Sequence, residues 1–210
     1  MTQAEKIRVM LVDDHPMLRL GVSAIVNAQT DMHVVAQAET GQQAVEMFDR
    51  QSPDVTLMDL RLPGMSGVEA IRAVRAKHQR ARFVALTTYD GDEDIYRAID
   101  AGARGYLLKG VSHDVLIDAL RRVHSGERYI PQPIAHMLAE RPAHCELSPR
   151  ENDVLALIVR GKSNREIASE LNISEATVKC HVTAILGRLG VSDRTQAAVA
   201  AIQRGIVHLW

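Results

Sequence analysis

The sequence predicts an α/β fold: a doubly wound five-stranded parallel sheet, followed by a second, all-α domain of four helices. Three observations lead to this fold class. Short apolar runs alternate with segments of helical periodicity through residues 7–125, as in parallel strands joined by crossover helices. Prolines punctuate residues 127–146, and no strand pattern follows residue 147. The 210 residues suffice for two such domains.

The five apolar runs are the predicted strands, and the segments between them have helical spacing. Leu18, Val22, Ile25 and Val26 recur at intervals that place them on one face of a helix. The strands are predicted at 7–12, 33–38, 55–58, 83–86 and 105–108, and the later helices around 44–48, 68–74, 93–101 and 115–123.

The predicted domains are residues 1–126, a linker of residues 127–146, and residues 147–210. The linker prolines leave room only for a short helix at 136–140. In the second domain, serine caps with a glutamate three residues later start helices at Ser148 and Ser163. Ser174 caps a longer helix that ends near Gly190, and a fourth helix is predicted from Asp193 to Arg204.

The composition excludes several classes of protein. No run of about 18 apolar residues is present, so no membrane partner is expected. The two cysteines imply no disulfide framework, and the N-terminus has no signal-peptide shape, so we expect a cytoplasmic protein. Because the net charge is −1, any contact with nucleic acid has to come from locally placed charge.

Polar side chains stand at the carboxyl ends of four predicted strands. Asp13 and Asp14 follow the first strand, Asp59 the third, Thr87 the fourth and Lys109 the fifth. Ligands of open parallel sheets bind along this edge. We therefore expect three carboxylates, one hydroxyl and one ammonium to converge there.

This set of side chains suits phosphoryl transfer to a carboxylate. An aspartate can act as the nucleophile, and Mg²⁺ prefers hard oxygen ligands. We expect Asp59 to accept the phosphoryl group and, with Asp14, to ligate Mg²⁺ directly. Asp13 would act through a water or orient Asp14, and the backbone carbonyl of Arg61 would supply a further oxygen.

Lys109 would pair with one phosphate oxygen and Thr87 would bond another. Each residue also has a simpler interpretation on its own. Asp13 alone would be a cap for the helix that starts at Pro16, and a lone lysine usually lies on the surface. The set of five residues, taken jointly, favours the phosphoryl site.

Ser163 to Leu189 has the pattern of a helix-turn-helix, whose second helix enters the major groove of DNA. Val178, Val182, Ile185 and Leu189 form its predicted buried stripe. The opposite face carries the candidate base-facing residues Ala176, Lys179, Cys180 and Thr183, and the candidate phosphate contacts include Thr177, Asn164, Arg165 and Arg188.

These motifs resemble two known domain families. Residues 7–125 resemble a CheY-like receiver domain, and residues 147–206 resemble LuxR-type helix-turn-helix domains. The whole chain resembles response regulators of the NarL/FixJ family. The receiver motifs are Val12-Asp13-Asp14-His15-Pro16, Met58–Gly67, Leu86-Thr87-Thr88 and Gly105–Lys109, and the helix-turn-helix motifs are Leu147–Glu151, Asn164–Ala168 and Ser174–Val182.

The resemblance implies phosphorylation of Asp59 by a partner sensor histidine kinase, a Mg²⁺ requirement, and a coupled switch in Thr87 and Tyr106. It implies a transcription regulator that binds double-stranded promoter DNA and forms a homodimer when phosphorylated, with the dimer contact at residues 195–203. Thr183 and Gly187 stand where relatives often carry a basic residue. We therefore expect modest DNA affinity from the isolated domain.

Two alternatives remain open at this point. One is a receiver that controls a protein partner through a degenerate helix-turn-helix, which DNA footprinting would separate. The other is a slow aspartyl-phosphate phosphatase. Such enzymes carry an acid/base carboxylate two residues after the nucleophile, where this chain has Arg61. We therefore expect no enzyme beyond self-phosphorylation and slow self-dephosphorylation.

Overall fold

The computed structural model describes residues 5–88, 92–140 and 147–207. Residues 1–4, 89–91, 141–146 and 208–210 of the predicted domains and linker lie outside the described residues. The described residues form two compact units that divide near residue 136. Within the described residues, no helix has both the length and the apolar composition of a membrane span.

The first unit contains the predicted five-stranded parallel sheet, with strand order β2-β1-β3-β4-β5. Two strands extend one residue beyond the predicted ends and thereby include Asp59 and Thr87. The strands are β1 Ile7–Val12, β2 Met32–Ala38, β3 Val55–Asp59, β4 Phe83–Thr87 and β5 Gly105–Leu108.

Helices cover both faces of this sheet. Because successive strand residues point to opposite faces, Phe83 and Val84 mark the two sides of β4. Phe48 packs on Phe83, whereas Val84 belongs to a buried cluster that includes residues of the first and fifth helices, such as Val26 and Leu120. The helices are α1 Pro16–Asn27, α2 Gly41–Gln51, α3 Gly67–Lys77, α4 Asp92–Asp100 and α5 His113–Ser125.

The chain after α5 is more regular than the sequence predicts. Tyr129 forms a parallel bridge with Gly105: its N–H donates to the carbonyl of Arg104, and its carbonyl accepts the N–H of Tyr106. A nine-residue helix, α6, then runs over Gln132–Glu140 and starts four residues before the predicted helix. Pro133 falls in its first turn, where proline is tolerated because the missing N–H would have no helical partner there.

The second unit is helical as predicted. Capping boxes at Ser148 and Ser163 start its first two helices, and Ser174 and Asp193 cap the next two. Each cap oxygen accepts a backbone N–H that the helix itself leaves unpaired. The helices are α7 Pro149–Val159, α8 Asn164–Glu170, α9 Glu175–Leu189 and α10 Arg194–Gln203.

Candidate functional site

The predicted acidic residues meet at the carboxyl edge of the sheet. Val12 of β1 pairs with Met58 of β3, so that the following residues, Asp13 and Asp59, emerge side by side. Both aspartates are buried. One potential ligand atom from each of four residues lies within 4.8 Å of the others: Asp13, Asp14, His15 and Asp59.

Lys109 joins the two buried carboxylates. Its Nζ donates to Oδ2 of Asp59 at 2.7 Å and lies 2.7 Å from Oδ2 of Asp13. The other oxygen of each aspartate accepts a backbone N–H two residues later, from Arg61 at 3.0 Å and from His15 at 2.8 Å. The loops after β1 and β3 therefore hold both carboxylates in the same way.

Burial and ion pairing together shift the pKa values of Asp59 and Lys109. Burial raises the pKa of Asp59, although the hydrogen bonds from Lys109 and the Arg61 N–H oppose the rise. Burial alone would lower the pKa of Lys109, but its contacts with Asp13 and Asp59 raise it overall. The lysine therefore stays charged between the carboxylates of Asp13 and Asp59.

The donor set fits Mg²⁺, which binds hard carboxylate oxygens and keeps several waters. Asp14 is the most accessible of the three carboxylates, with 38% of its side chain exposed. His15 Nδ1 lies 2.7 Å from Oδ1 of Asp14 and 3.1 Å from Oδ1 of Asp13, and its ring is largely solvent-exposed. The structure thus brings together the predicted carboxylate ligands, while a role for the Arg61 carbonyl stays a prediction.

The predicted switch residues lie in the two neighbouring strands. The carbonyl of Thr87 accepts the backbone N–H of Lys109 at 2.6 Å, which couples the ends of β4 and β5. The side chains of Thr87 and Tyr106 are fully buried. Residues 89–91, which follow β4 between these two switch residues, lie outside the described residues.

Two residues for which the sequence predicts no role at the site also shape this edge. Arg19 of α1 is nine-tenths buried and donates to the carbonyl of Asp13 at 2.6 Å. A signal was present, because Arg19 stands seven residues before the buried Val26 and therefore on the same helix face. Gly67, the first residue of α3, lies against the backbone of Asp59.

Gly67→Ala is expected to destabilise the first unit by about 2 kcal/mol, a typical cost of overpacking. A Cβ at Gly67 would lie 2.0 Å from the carbonyl oxygen of Asp59 and 2.8 Å from Cα of Leu60, and backbone atoms cannot swing away. The measurement is the thermal midpoint by circular dichroism. Gly21→Ala in α1 is the control, because its Cβ meets nothing within 4 Å and alanine favours helices. A Gly67→Ala midpoint equal to wild type would contradict the packing argument.

The helix-turn-helix presents the predicted face to solvent. In α9, Val178, Ile185 and Leu189 are buried and Val182 is partly buried, as the stripe predicts. The hydroxyl of Thr183 donates its hydrogen to the carbonyl of Lys179 at 3.1 Å, so its oxygen can only accept from a partner and its methyl group is free to make apolar contacts. The exposed residues on the other face are Ala176, Thr177, Lys179, Cys180 and Thr183.

Arginines outside α8 fix both ends of that helix. Arg150 donates to the carbonyl of Leu171 at 2.6 Å, and Arg194 donates to the carbonyl of Lys162 at 2.6 Å. Arg194 also donates to Oδ1 of Asn164 at 3.4 Å. Of the two predicted phosphate contacts in α8, Asn164 is therefore half-buried, whereas Arg165 is exposed.

A further predicted phosphate contact, Arg188, is engaged within the unit. Its Nη1 lies 3.2 Å from Oε2 of Glu151, a buried carboxylate at the start of α7. This ion pair ties the C-terminal end of α9 to α7. Arg188 therefore contributes to holding α9 in place.

Comparisons with known proteins agree with both units. Residues 9–121 match the family described as response regulator receiver domain, and residues 146–201 match the family of bacterial regulatory proteins, luxR family. The transcriptional regulatory protein LiaR of Bacillus subtilis is 40% identical over 96% of this chain and 100% of its own length.

Two further relatives also align along almost the whole chain. The nitrate/nitrite response regulator protein NarL of Escherichia coli is 37% identical over 98% of this chain and 100% of its own length. ChrA, described as the response regulator of a heme-sensing two-component system, has 39% sequence identity to this chain. Its crystal structure matches with a TM-score of 0.56, and the match covers 96% of this chain and 98% of the ChrA chain. The chain therefore belongs to the response regulators that join a receiver domain to a LuxR-type DNA-binding domain, and it is a transcription regulator.

Proposed function

We propose that Asp59 accepts a phosphoryl group from a sensor histidine kinase, that the transfer requires Mg²⁺, and that the phosphorylated chain binds promoter DNA as a homodimer. The observation that carries this proposal is the shared contact of Lys109 with Asp13 and Asp59 inside a cluster of three carboxylates. ChrA is described as part of a two-component system, which supports a kinase partner.

In the proposed transfer, an oxygen of Asp59 bonds to the phosphorus of a phosphohistidine. The phosphorus–nitrogen bond breaks, and its electron pair stays on the imidazole. Asp13, Asp14 and Asp59 would hold Mg²⁺, which neutralises charge on the transferring group. Lys109, already 2.7 Å from Asp59, would pair with a phosphoryl oxygen, and Thr87 would donate its hydroxyl to another.

The same site supports slow loss of the phosphoryl group and not rapid turnover. A fast phosphatase would need a carboxylate two residues after Asp59 to activate water. Arg61 stands there, and its backbone N–H holds Asp59. We therefore propose that the acyl phosphate lasts long enough to act as a signal.

The output step is proposed to run through the second unit. Val199 and Ile202 of α10 expose 49% and 41% of their surface, which supports α10 as the dimer contact. Each copy would present α9 to one half-site in the major groove, with half-sites about one helical turn apart. Because the promoter is chromosomal DNA, the proposed site of action is the cytoplasm.

Removal of divalent metal tests the proposal directly. With a radiolabelled small phosphodonor such as acetyl phosphate, we expect labelling in Mg²⁺ and at least a 100-fold slower rate in excess EDTA, because the three carboxylates then lack their counter-cation. Restored labelling after Mg²⁺ is added back is the control.

Genome-wide DNA capture with phosphodonor-treated and untreated protein tests the output step. We expect promoter fragments to be enriched in the treated sample. Labelling without any DNA enrichment would instead favour a receiver that drives a protein partner.

A further inference from the structure

Arg19 is a buried cation with fixed acceptors. The residue is 9% exposed and lies in α1, the helix that follows the acidic pair Asp13 and Asp14. Its Nη1 donates to the carbonyl of Asp13 at 2.6 Å, and its Nη2 forms an ion pair with Glu39. A buried guanidinium without such partners would be costly, so its position depends on these two contacts.

The contact with Arg19 completes the fixing of the Asp13 backbone. The N–H of Asp13 donates to the carbonyl of Ala38 at 3.1 Å, at the end of β2. Its carbonyl is held by Arg19, and Glu39, the next residue after Ala38, balances the charge of the guanidinium. The peptide groups on both sides of Asp13 are therefore immobilised, and these groups set the directions of the Asp13 and Asp14 side chains.

We infer that Arg19 is a positioning residue for the divalent cation: by holding the Asp13 carbonyl, it keeps the Asp13 and Asp14 carboxylates in ligating orientation. The inference rests on the proposed function, because it assumes that these carboxylates bind the metal. Arg19 itself does not touch the cation. Groups that orient metal ligands in this way commonly change metal affinity about 10-fold or more when removed.

The test uses the full chain with Mn²⁺ as the probe, with free Mn²⁺ measured by electron paramagnetic resonance. Arg19→Met keeps the aliphatic stem and removes both donors, and we expect it to weaken Mn²⁺ binding about 10-fold. Arg19→Lys replaces the planar guanidinium by one ammonium, and we expect it to weaken Mn²⁺ binding by less than Arg19→Met does.

Arg75→Met is the matched control. Arg75 lies in α3 and also donates to main-chain carbonyls, those of Ala81 at 3.1 Å and Gly102 at 3.4 Å, but it does not contact the acidic pair. Its loss is expected to lower the unfolding temperature and leave Mn²⁺ affinity unchanged. Glu39→Gln, which spares the contact between Arg19 and Asp13, is expected to change affinity less than Arg19→Met.

A kinetic readout separates positioning from general damage. For labelling by acetyl phosphate, we expect Arg19→Met to raise the Mg²⁺ concentration at half-maximal rate about 10-fold, with the rate at saturating Mg²⁺ within about twofold of wild type. Wild-type Mn²⁺ affinity in Arg19→Lys and in any folded Arg19→Met would overturn the inference. Absence of Mn²⁺ binding and labelling in the wild type would instead remove the proposed function on which it rests.

Discussion

Asp59→Asn is expected to abolish phosphoryl labelling and the phosphorylation-dependent gain in promoter binding. The carboxamide has nearly the same shape as the carboxylate, but it is not a nucleophile for phosphorus and contributes no charge to the metal site. Asp59 is 2% exposed and bonded to Lys109 and the Arg61 N–H. Loss of the acceptor therefore removes the reaction itself, the largest effect that one substitution in the receiver can have.

The variant is expected to remain folded, and the pKa of Asp59 gives the reason. Because burial raises this pKa, the ionised carboxylate is less favourable in the folded chain than in the unfolded chain. The contribution of Asp59 to the free energy of unfolding is therefore largest at low pH and falls as the pH rises through the raised pKa. At neutral pH the ionised carboxylate destabilises the folded chain. Asparagine removes that cost, and Lys109 keeps Asp13 as a partner.

The measurement is covalent labelling by acetyl phosphate, with the thermal midpoint recorded with and without Mg²⁺. The Asp59→Asn midpoint without metal should be no lower than that of wild type, and the rise on adding Mg²⁺ should shrink because a ligand is lost. Asp114→Asn, at a side chain that is 85% exposed in α5, is the matched control and should label normally. Retained labelling of Asp59→Asn would refute the acceptor assignment.

The convergence of the polar side chains at one edge of the sheet could be predicted because it follows from the regular alternation of strands and helices. Each parallel strand ends at the same edge of the sheet, so polar residues that end apolar runs must meet there. Lys109 reaches Asp59 across 50 positions of sequence for this reason alone. No particular side-chain contact was needed for the prediction.

The partners within the site could not be predicted, because they depend on side-chain directions. Asp13 was expected to act through a water or on Asp14, and the structure shows that it also forms an ion pair with Lys109 and accepts a hydrogen bond from the His15 N–H. Helical spacing places Arg19 on the same face of α1 as the buried Val26, but it does not identify the groups that Arg19 contacts. Its contacts depend on where the loops after β1 and β2 place the Asp13 carbonyl and Glu39, which helical periodicity does not encode.

The segment after α5 shows the same limit. Tyr129 pairs with the backbone on both sides of Gly105, but a single bridge has no repeating pattern in the sequence. The serine caps of the second unit were predictable because a cap is local. The contact of Arg194 with the carbonyl of Lys162 spans 32 positions of sequence and could not be predicted from a local pattern.

Lys179→Ala is expected to weaken binding to a promoter site about 10-fold, the lower part of the range for a lost base contact. Lys179 is an exposed cation on the face of α9 opposite the buried stripe. The chain carries a net charge of −1, so it has no strong overall field to compensate for one lost contact. Thr183 cannot replace it, since it carries no charge and its hydroxyl hydrogen is bonded within the helix.

Footprinting and titrations at several salt concentrations, with phosphodonor-treated protein, would measure this effect and separate its two origins. A base contact relaxes sequence preference at one position of the site, whereas a phosphate contact lowers the salt slope by about 1 and weakens all sequences alike. Lys77→Ala, at an exposed lysine of α3, removes the same charge from the receiver and should leave the footprint intact. If Lys179→Ala gave an unchanged footprint and affinity, Lys179 would have no place in the DNA interface, and the exposed face of α9 would have to bind DNA through its apolar and hydroxyl groups alone.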